Sequence, residues 1–403
     1  MKNWLEDDQT YIMNTYNRLP VVIERGEKNY LFDIEGKKYL DLFTGLGVSI
    51  VGHQHPALLE TLSTQASHVL HLCNHFPHKP EIELAKKLSH IAFNGEGQVF
   101  FANSGTEATE SCIKLVHRYM ESQQKENRGI VVFSDGYHGR TLGALHLTRQ
   151  PHVYQTFPSP SFPIFEVERE NVEQLEEVLK THRPSAVLFE PVLGSGGVRP
   201  LSDTFMLSIE KLCRTYDALL CIDEIQTGVG RTGTFFAFQA LNMNPDIVLF
   251  GKSIGGGLPL GGIIAKRKIA KVFKPGDHGT TFGGNPAATS LGNTMLRLLL
   301  DEGLMEQSKV TSSYLQSGLQ KIQSMHSEHI EEIRSKGMMF GIQSTFSKEK
   351  CKDIQQAMMK NGFLIDVTQG NIFRLLPPLT LQEDEIESFL YAFEKSIFEA
   401  SIH

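Results

Sequence analysis

The chain has little that would mark a secreted, membrane-bound or nucleic-acid-binding protein. Its five cysteines (Cys73, Cys112, Cys213, Cys221 and Cys351) are odd in number, scattered and never two residues apart. That excludes a Cys-x-x-Cys zinc or redox pair and points to reduced thiols rather than a disulfide framework. Acidic residues outnumber basic ones, 46 to 39, and the net charge of -7 offers no footprint for nucleic acid or an anionic membrane surface. No uninterrupted apolar stretch reaches bilayer-spanning length. Glu6, Asp7 and Asp8 stand where a secretion signal needs a basic and then an apolar region, so a cytoplasmic location is the expectation. Internal repeats and low-complexity linkers are also missing. The composition that remains, 40% hydrophobic and 21% charged, is enough for a packed core, and small-molecule chemistry is the expected occupation.

At 403 residues the chain exceeds what one typical core supports, so a large domain and a smaller one are expected. Short β-branched and aromatic runs recur between amphipathic stretches: Gln98–Ala102, Ile130–Ser134, Ala186–Glu190, Ala218–Asp223, Ile247–Gly251 and Gly262–Ala265. This alternation predicts an α/β fold with a mostly parallel central sheet and helices on both faces. Such sheets bind ligands beyond the carboxyl ends of their strands, so the chemical residues should follow those runs. Past about residue 290 the pattern changes to long polar helices, such as Ser308–Ser327, and to strands at Met338–Ser344, Phe363–Val367 and Asn371–Leu376. The expected division is an N-terminal arm over 1–45 with a hairpin about Glu35-Gly36, a large domain over 46–290 and a smaller α+β domain over 291–403. The last helix has Thr380 and Glu383 at capping-box spacing and an apolar face of Ile386, Phe389, Leu390, Phe393 and Ile397.

Three strand ends carry chemistry. Asn103-Ser104-Gly105-Thr106-Glu107-Ala108 opens a helix, whose unpaired N–H groups and positive dipole end suit a phosphate; taken alone it is more readily an ordinary N-cap. Asp223 ends an apolar run, where a buried carboxylate needs a compensating cation such as a pyridinium nitrogen. Lys252 follows Ile247–Gly251 and precedes Gly255-Gly256-Gly257; burial there favours the free amine that a covalent cofactor bond requires. A lone lysine would normally be a surface residue, and it is the joint occurrence of phosphate, cation and amine requirements that decides. Gly228-Val229-Gly230-Arg231-Thr232-Gly233 spells a dinucleotide fingerprint, but Asp223–Thr227 separates it from its strand and no amphipathic helix follows. Gly251-Lys252-Ser253 lacks the glycine of a nucleotide P-loop, because Asp246 stands in its place.

Together with Tyr137-His138-Gly139-Arg140-Thr141 and His278-Gly279-Thr280-Thr281-Phe282-Gly283-Gly284-Asn285-Pro286, these segments resemble class III aminotransferases from about Gly52 to the C-terminus. The resemblance implies a fold type I, pyridoxal 5'-phosphate-dependent homodimer with active sites at the subunit boundary, moving nitrogen to 2-oxoglutarate by a ping-pong route. It implies that Lys252 binds the cofactor covalently and that Asp223 supports the ring nitrogen. Ser104, Gly105 and Thr106 would hold the phosphate, Tyr137 would stack on the ring, Gln226 would neighbour its phenolic oxygen, and Thr281 would reach the partner's phosphate.

The segment Tyr137–Leu145, Thr280 and Phe373-Arg374-Leu375-Leu376-Pro377-Pro378-Leu379 are most similar to acetylornithine and ornithine aminotransferases. That similarity implies substrate roles for Arg140, Thr280 and Arg374 and a place in amino-acid metabolism, arginine biosynthesis included. One departure bears on the donor. Relatives that handle an ω-amine carry a Glu after the Glu-Pro-Val segment, and it neutralises the second arginine. Here Glu190-Pro191-Val192-Leu193-Gly194-Ser195 has Ser195 at that place. The expectation is that Arg374 stays open to α-carboxylates, which leaves α-amino acids, 4-aminobutyrate and a dialkylglycine-decarboxylase-like reaction beside the ω-amine donors.

Overall fold

A computed structural model describes residues 3–126 and 128–402. Its centre is a seven-stranded sheet in the spatial order Gly97–Ala102, Gly261–Lys266, Ile247–Phe250, Leu219–Asp223, Ala186–Phe189, Ile130–Phe133 and Ile164–Val167. All strands run parallel except Gly261–Lys266, which is antiparallel to both neighbours. Alternate residues enter two different cores: Val248 and Phe250 pack on one face, Ile247 and Leu249 on the other. A strand covered on both faces has no polar side to present, which is why these runs read as continuously apolar. On the second face lies helix Gly105–Ser122, burying Ala108, Cys112, Leu115 and Val116.

The edge strand Ile164–Val167 was not foreseen, and neither was Ile330–Ser335 in the smaller four-stranded sheet. Both are half-exposed and interrupted by glutamate, so neither shows the apolar run that betrays a buried strand. The expected strand Phe363–Val367 divides. Phe363–Leu364 pairs parallel with Lys38–Asp41 of the N-terminal sheet, while Asp366–Thr368 pairs antiparallel with Ile372–Leu375. The N-terminal hairpin, Tyr30–Asp33 against Lys38–Asp41, is thereby stitched to the C-terminal part of the chain.

The final helix runs Glu383–Ile402 and buries Ile386, Phe389, Phe393 and Ile397. Its expected capping box does not form. Thr380 lies before the helix and donates its hydroxyl to Asn29 Oδ1, and it is Glu385 Oε2 that accepts the Gln382 N–H at 2.9 Å. Gly228–Gly233 is a succession of turns with no helix at its end. No helix among the described residues is long and apolar enough to cross a membrane.

Candidate active site

The carboxyl ends of the parallel strands converge closely enough to exclude side chains. A Cβ on Gly251 would lie 3.4 Å from Ile225 Cγ2 and 3.6 Å from the Cα of Gly105, and a Cβ on Gly105 would lie 2.8 Å from Ile225 Cγ2. The crowding is at Gly105; a methyl on Gly251, whose backbone is extended, would make ordinary contacts. Gly105 and Gly251, more than a hundred residues apart in the chain, thus bring their backbones close together beside the Ile225 side chain. Helix Gly105–Ser122 starts there. Ser104 caps it by accepting the Glu107 N–H at 3.3 Å, and the N–H groups of the first turn point out of the helix end.

Lys252 follows Gly251 in a left-handed conformation, φ 50°. A non-glycine residue held there stores about 1–3 kcal/mol of backbone strain, a feature that clusters at functional sites. Burial pushes the pKa of its amine down to about 8; Asp223 and Glu190 oppose that shift, and the positive charges of Arg374 and Arg231 add to it. The chain therefore offers an amine much closer to its free base than a surface lysine.

Asp223 is sealed at the end of its strand. One carboxylate oxygen accepts the Ile225 N–H at 3.1 Å, and the other lies 2.7 Å from His138 Nδ1. Burial disfavours a charged His138, but the contact with Asp223 and the field of Glu190 outweigh it and raise the histidine pKa. Burial likewise pushes the Glu190 carboxyl up to about 7, although the Tyr137 N–H donates to it at 2.8 Å. Glu190, His138 and Asp223 form a sealed series of titratable groups behind Lys252. Neither His138 nor Glu190 was singled out from sequence. The signal existed: Glu190 follows Ala186–Phe189 as Asp223 ends Leu219–Asp223, and the strand-end rule applies equally to both.

The remaining residues divide. Tyr137 is half-buried beside His138, with the Arg140 guanidinium 5.9 Å from its ring centroid. The Thr106 hydroxyl is engaged with the Arg140 and Thr141 N–H groups at 3.0 and 3.1 Å, which ties the Tyr137–Arg140 turn to the helix start. Gln226 lies so close to Gly194 that a Cβ there would fall 1.6 Å from its Oε1, and that buried oxygen has no hydrogen-bond partner among the described residues. Thr280 Oγ1 accepts from Asn103 Nδ2 at 3.1 Å, next to Ser104. Arg140 and Thr281 are exposed and lie outside the sealed cluster.

Arg374 departs from the expectation that it stays open. Its Nε and Nη2 reach the same Asp366 oxygen at 2.9 and 2.7 Å, and Nη1 donates to Gly194 O at 3.1 Å. Ser195 faces elsewhere: its hydroxyl accepts from Gln150 Nε2 at 3.1 Å. The antiparallel register sets Asp366 directly opposite Arg374, a cross-strand pairing that no local pattern reveals.

A capped helix start, a sealed carboxylate and a half-buried amine at strand ends of a mostly parallel sheet are the features that an enzyme with a phosphate-bearing, lysine-linked cofactor requires. The sequence model of the family described as aminotransferase class-III matches residues 11–397, and the chain belongs to that family. It is 38% identical to the acetylornithine aminotransferase of Aquifex aeolicus over 94% of this chain and 97% of that one. The acetylornithine aminotransferase of Methanocaldococcus jannaschii is 36% identical, covering 98% of both chains. Among solved structures, the ornithine aminotransferase of Toxoplasma gondii superposes with a TM-score of 0.94 at 28% identity, over 100% of this chain and 96% of that one. The protein is an aminotransferase with the fold type I architecture, and its cofactor is pyridoxal phosphate. The residues present fit that group: the unpartnered Gln226 oxygen leaves a buried amide free for a polar ligand atom, and the start of helix Gly105–Ser122 offers unpaired N–H groups to an anion.

Proposed function

We propose that this chain moves the terminal amino group of an acetylornithine- or ornithine-like donor to 2-oxoglutarate, in two half-reactions at one site. The observation that carries the reading is the half-buried Lys252 amine, held near pKa 8 beside the buried Asp223–His138 pair and the start of helix Gly105–Ser122. When bound, the cofactor supplies an electron sink for the carbon that loses its proton. Lys252, the covalent anchor at rest, accepts that proton as a free amine and returns it. Asp223 would hold a proton at the ring nitrogen of the bound cofactor, and His138 keeps the Asp223 carboxylate oriented. The helix-start N–H groups with Ser104, Gly105 and Thr106 would hold the phosphate, Tyr137 would pack against the ring, and the Gln226 amide would lie beside its phenolic oxygen.

Arg140 and Arg374 provide two guanidinium forks, which suit a dicarboxylate acceptor, with Thr280 beside them. Exposed Thr281 completes the phosphate site of a second copy, so the working unit is a homodimer with shared sites. The donor class rests on the acetylornithine and ornithine aminotransferases that the chain resembles, and the same likeness favours a role in arginine biosynthesis. A single-turnover absorbance screen tests the assignment. Acetylornithine and ornithine should bleach the cofactor band faster than alanine, and 2-oxoglutarate should restore it. Equal rates for alanine and the ω-amines would overturn the donor assignment.

A further inference from the structure

The fork of Arg374 is more occupied than its place in a substrate site requires. Of its five N–H donors, two go to one oxygen of Asp366 and one to the Gly194 carbonyl. Asp366 therefore takes the side-on face of the guanidinium, and what is left for a substrate carboxylate is the end-on pair, one hydrogen each from Nη1 and Nη2.

The surroundings hold this arrangement in place. Thr368 Oγ1 and Gln369 Nε2, on and just past the strand that carries Asp366, both donate to Ser195 O, at 3.1 and 3.0 Å. The segment Gly194–Ser195 is thus bound to the Asp366 strand on one side and to Arg374 on the other. Asp366 also lines a cavity of about 1410 Å³, together with Phe43, Leu46 and Val367.

We propose that Asp366 is the built-in counter-ion of Arg374 and sets how firmly the site holds a substrate α-carboxylate. The inference rests on the transaminase reading for the identity of the substrates. It assigns the neutralising role, left vacant by Ser195, to a residue on a different strand. With Asp366 in place, an α-carboxylate meets an arginine whose charge is already largely compensated, and ω-amine donors keep their advantage. Asp366 acts through Arg374 and is a positioning residue for the reaction.

The test is a comparison of wild type, D366N, D366S and D366E as holoenzymes, titrated calorimetrically with glutarate, which resembles the acceptor and cannot react. D366N removes the charge and keeps the shape; D366S serves the same purpose if the amide disturbs folding. Both should bind glutarate about tenfold more tightly, the scale of one charge-assisted hydrogen bond. Their KM for glutamate should fall by a similar factor with kcat little changed, because Arg374 holds ground and transition states alike. D366E should return both values toward wild type. Unchanged or weaker glutarate binding in D366N and D366S would overturn the counter-ion role. Failure of the wild type to process any amine would instead overturn the transaminase reading, and the glutarate comparison would still decide the role of Asp366.

Discussion

His138 Nδ1 lies 2.7 Å from a carboxylate oxygen of Asp223, and both side chains are sealed from solvent. A buried carboxylate without a partner costs several kcal/mol, so in the protein without cofactor the histidine carries the burden of keeping Asp223 where it is. The neighbouring Glu190 adds a second negative field and strengthens the preference for a protonated imidazole.

Replacing His138 with Leu should therefore destabilise the cofactor-free protein by about 3–5 kcal/mol, read from urea midpoints. The pH dependence has a definite sign. A histidine whose pKa is raised on folding contributes stability that is complete below its ordinary value and is lost as pH rises through the raised one. Glu190, raised to about 7, works in the same direction. The gap between wild type and His138→Leu should be widest near pH 5.5 and narrower at pH 9.

Lys252 has the opposite sign. Its folded pKa of about 8 lies below that of an unfolded lysine, so folding disfavours the ammonium form, and the penalty is relieved as pH rises above 8. In the cofactor-free protein, pulse labelling with an amine-selective reagent should show Lys252 reacting with a midpoint near pH 8, while surface lysines follow at about 10.4. Lys252→Met should stabilise the cofactor-free protein at pH 7 by about 1–3 kcal/mol, and this gain should fade toward pH 10.

Gly105→Ala tests the convergence of the strand ends. The added methyl would stand 2.8 Å from Ile225 Cγ2, and Ile225 must move against Gly251 to admit it. Overpacking of this kind costs about 1–3 kcal/mol, so cofactor affinity should fall by about tenfold to a hundredfold, measured by equilibrium dialysis. Because the helix remains capped by Ser104, far-ultraviolet dichroism should be unchanged.

What could be read from the sequence follows the range of the signal. Lys252, Asp223 and Ser104–Thr106 sit directly after buried strands, and local pattern is enough to find them. The pairing of Asp366 with Arg374 depends on the register of two strands, and the union of Phe363–Leu364 with Lys38–Asp41 joins segments more than three hundred residues apart. Neither leaves a periodic trace. Ser195 pointed to a missing anion, but only the sheet register could say that an aspartate on another strand supplies one. Arg231 shows the same limit: the turn motif that contains it gives no sign that its side chain is fully buried and donates to the carbonyls of Met338 and Pro377.

Transamination here depends on covalent attachment of the cofactor at one lysine, and replacing Lys252 with Ala should abolish multiple turnover while the folded content is retained. The most direct measurement is a mass map of the holoenzyme after borohydride reduction. One reduced pyridoxyl phosphate per chain, on the peptide that contains Phe250-Gly251-Lys252, is the predicted result. A saturated protein whose adduct lies on any other lysine, or that carries none, would contradict it.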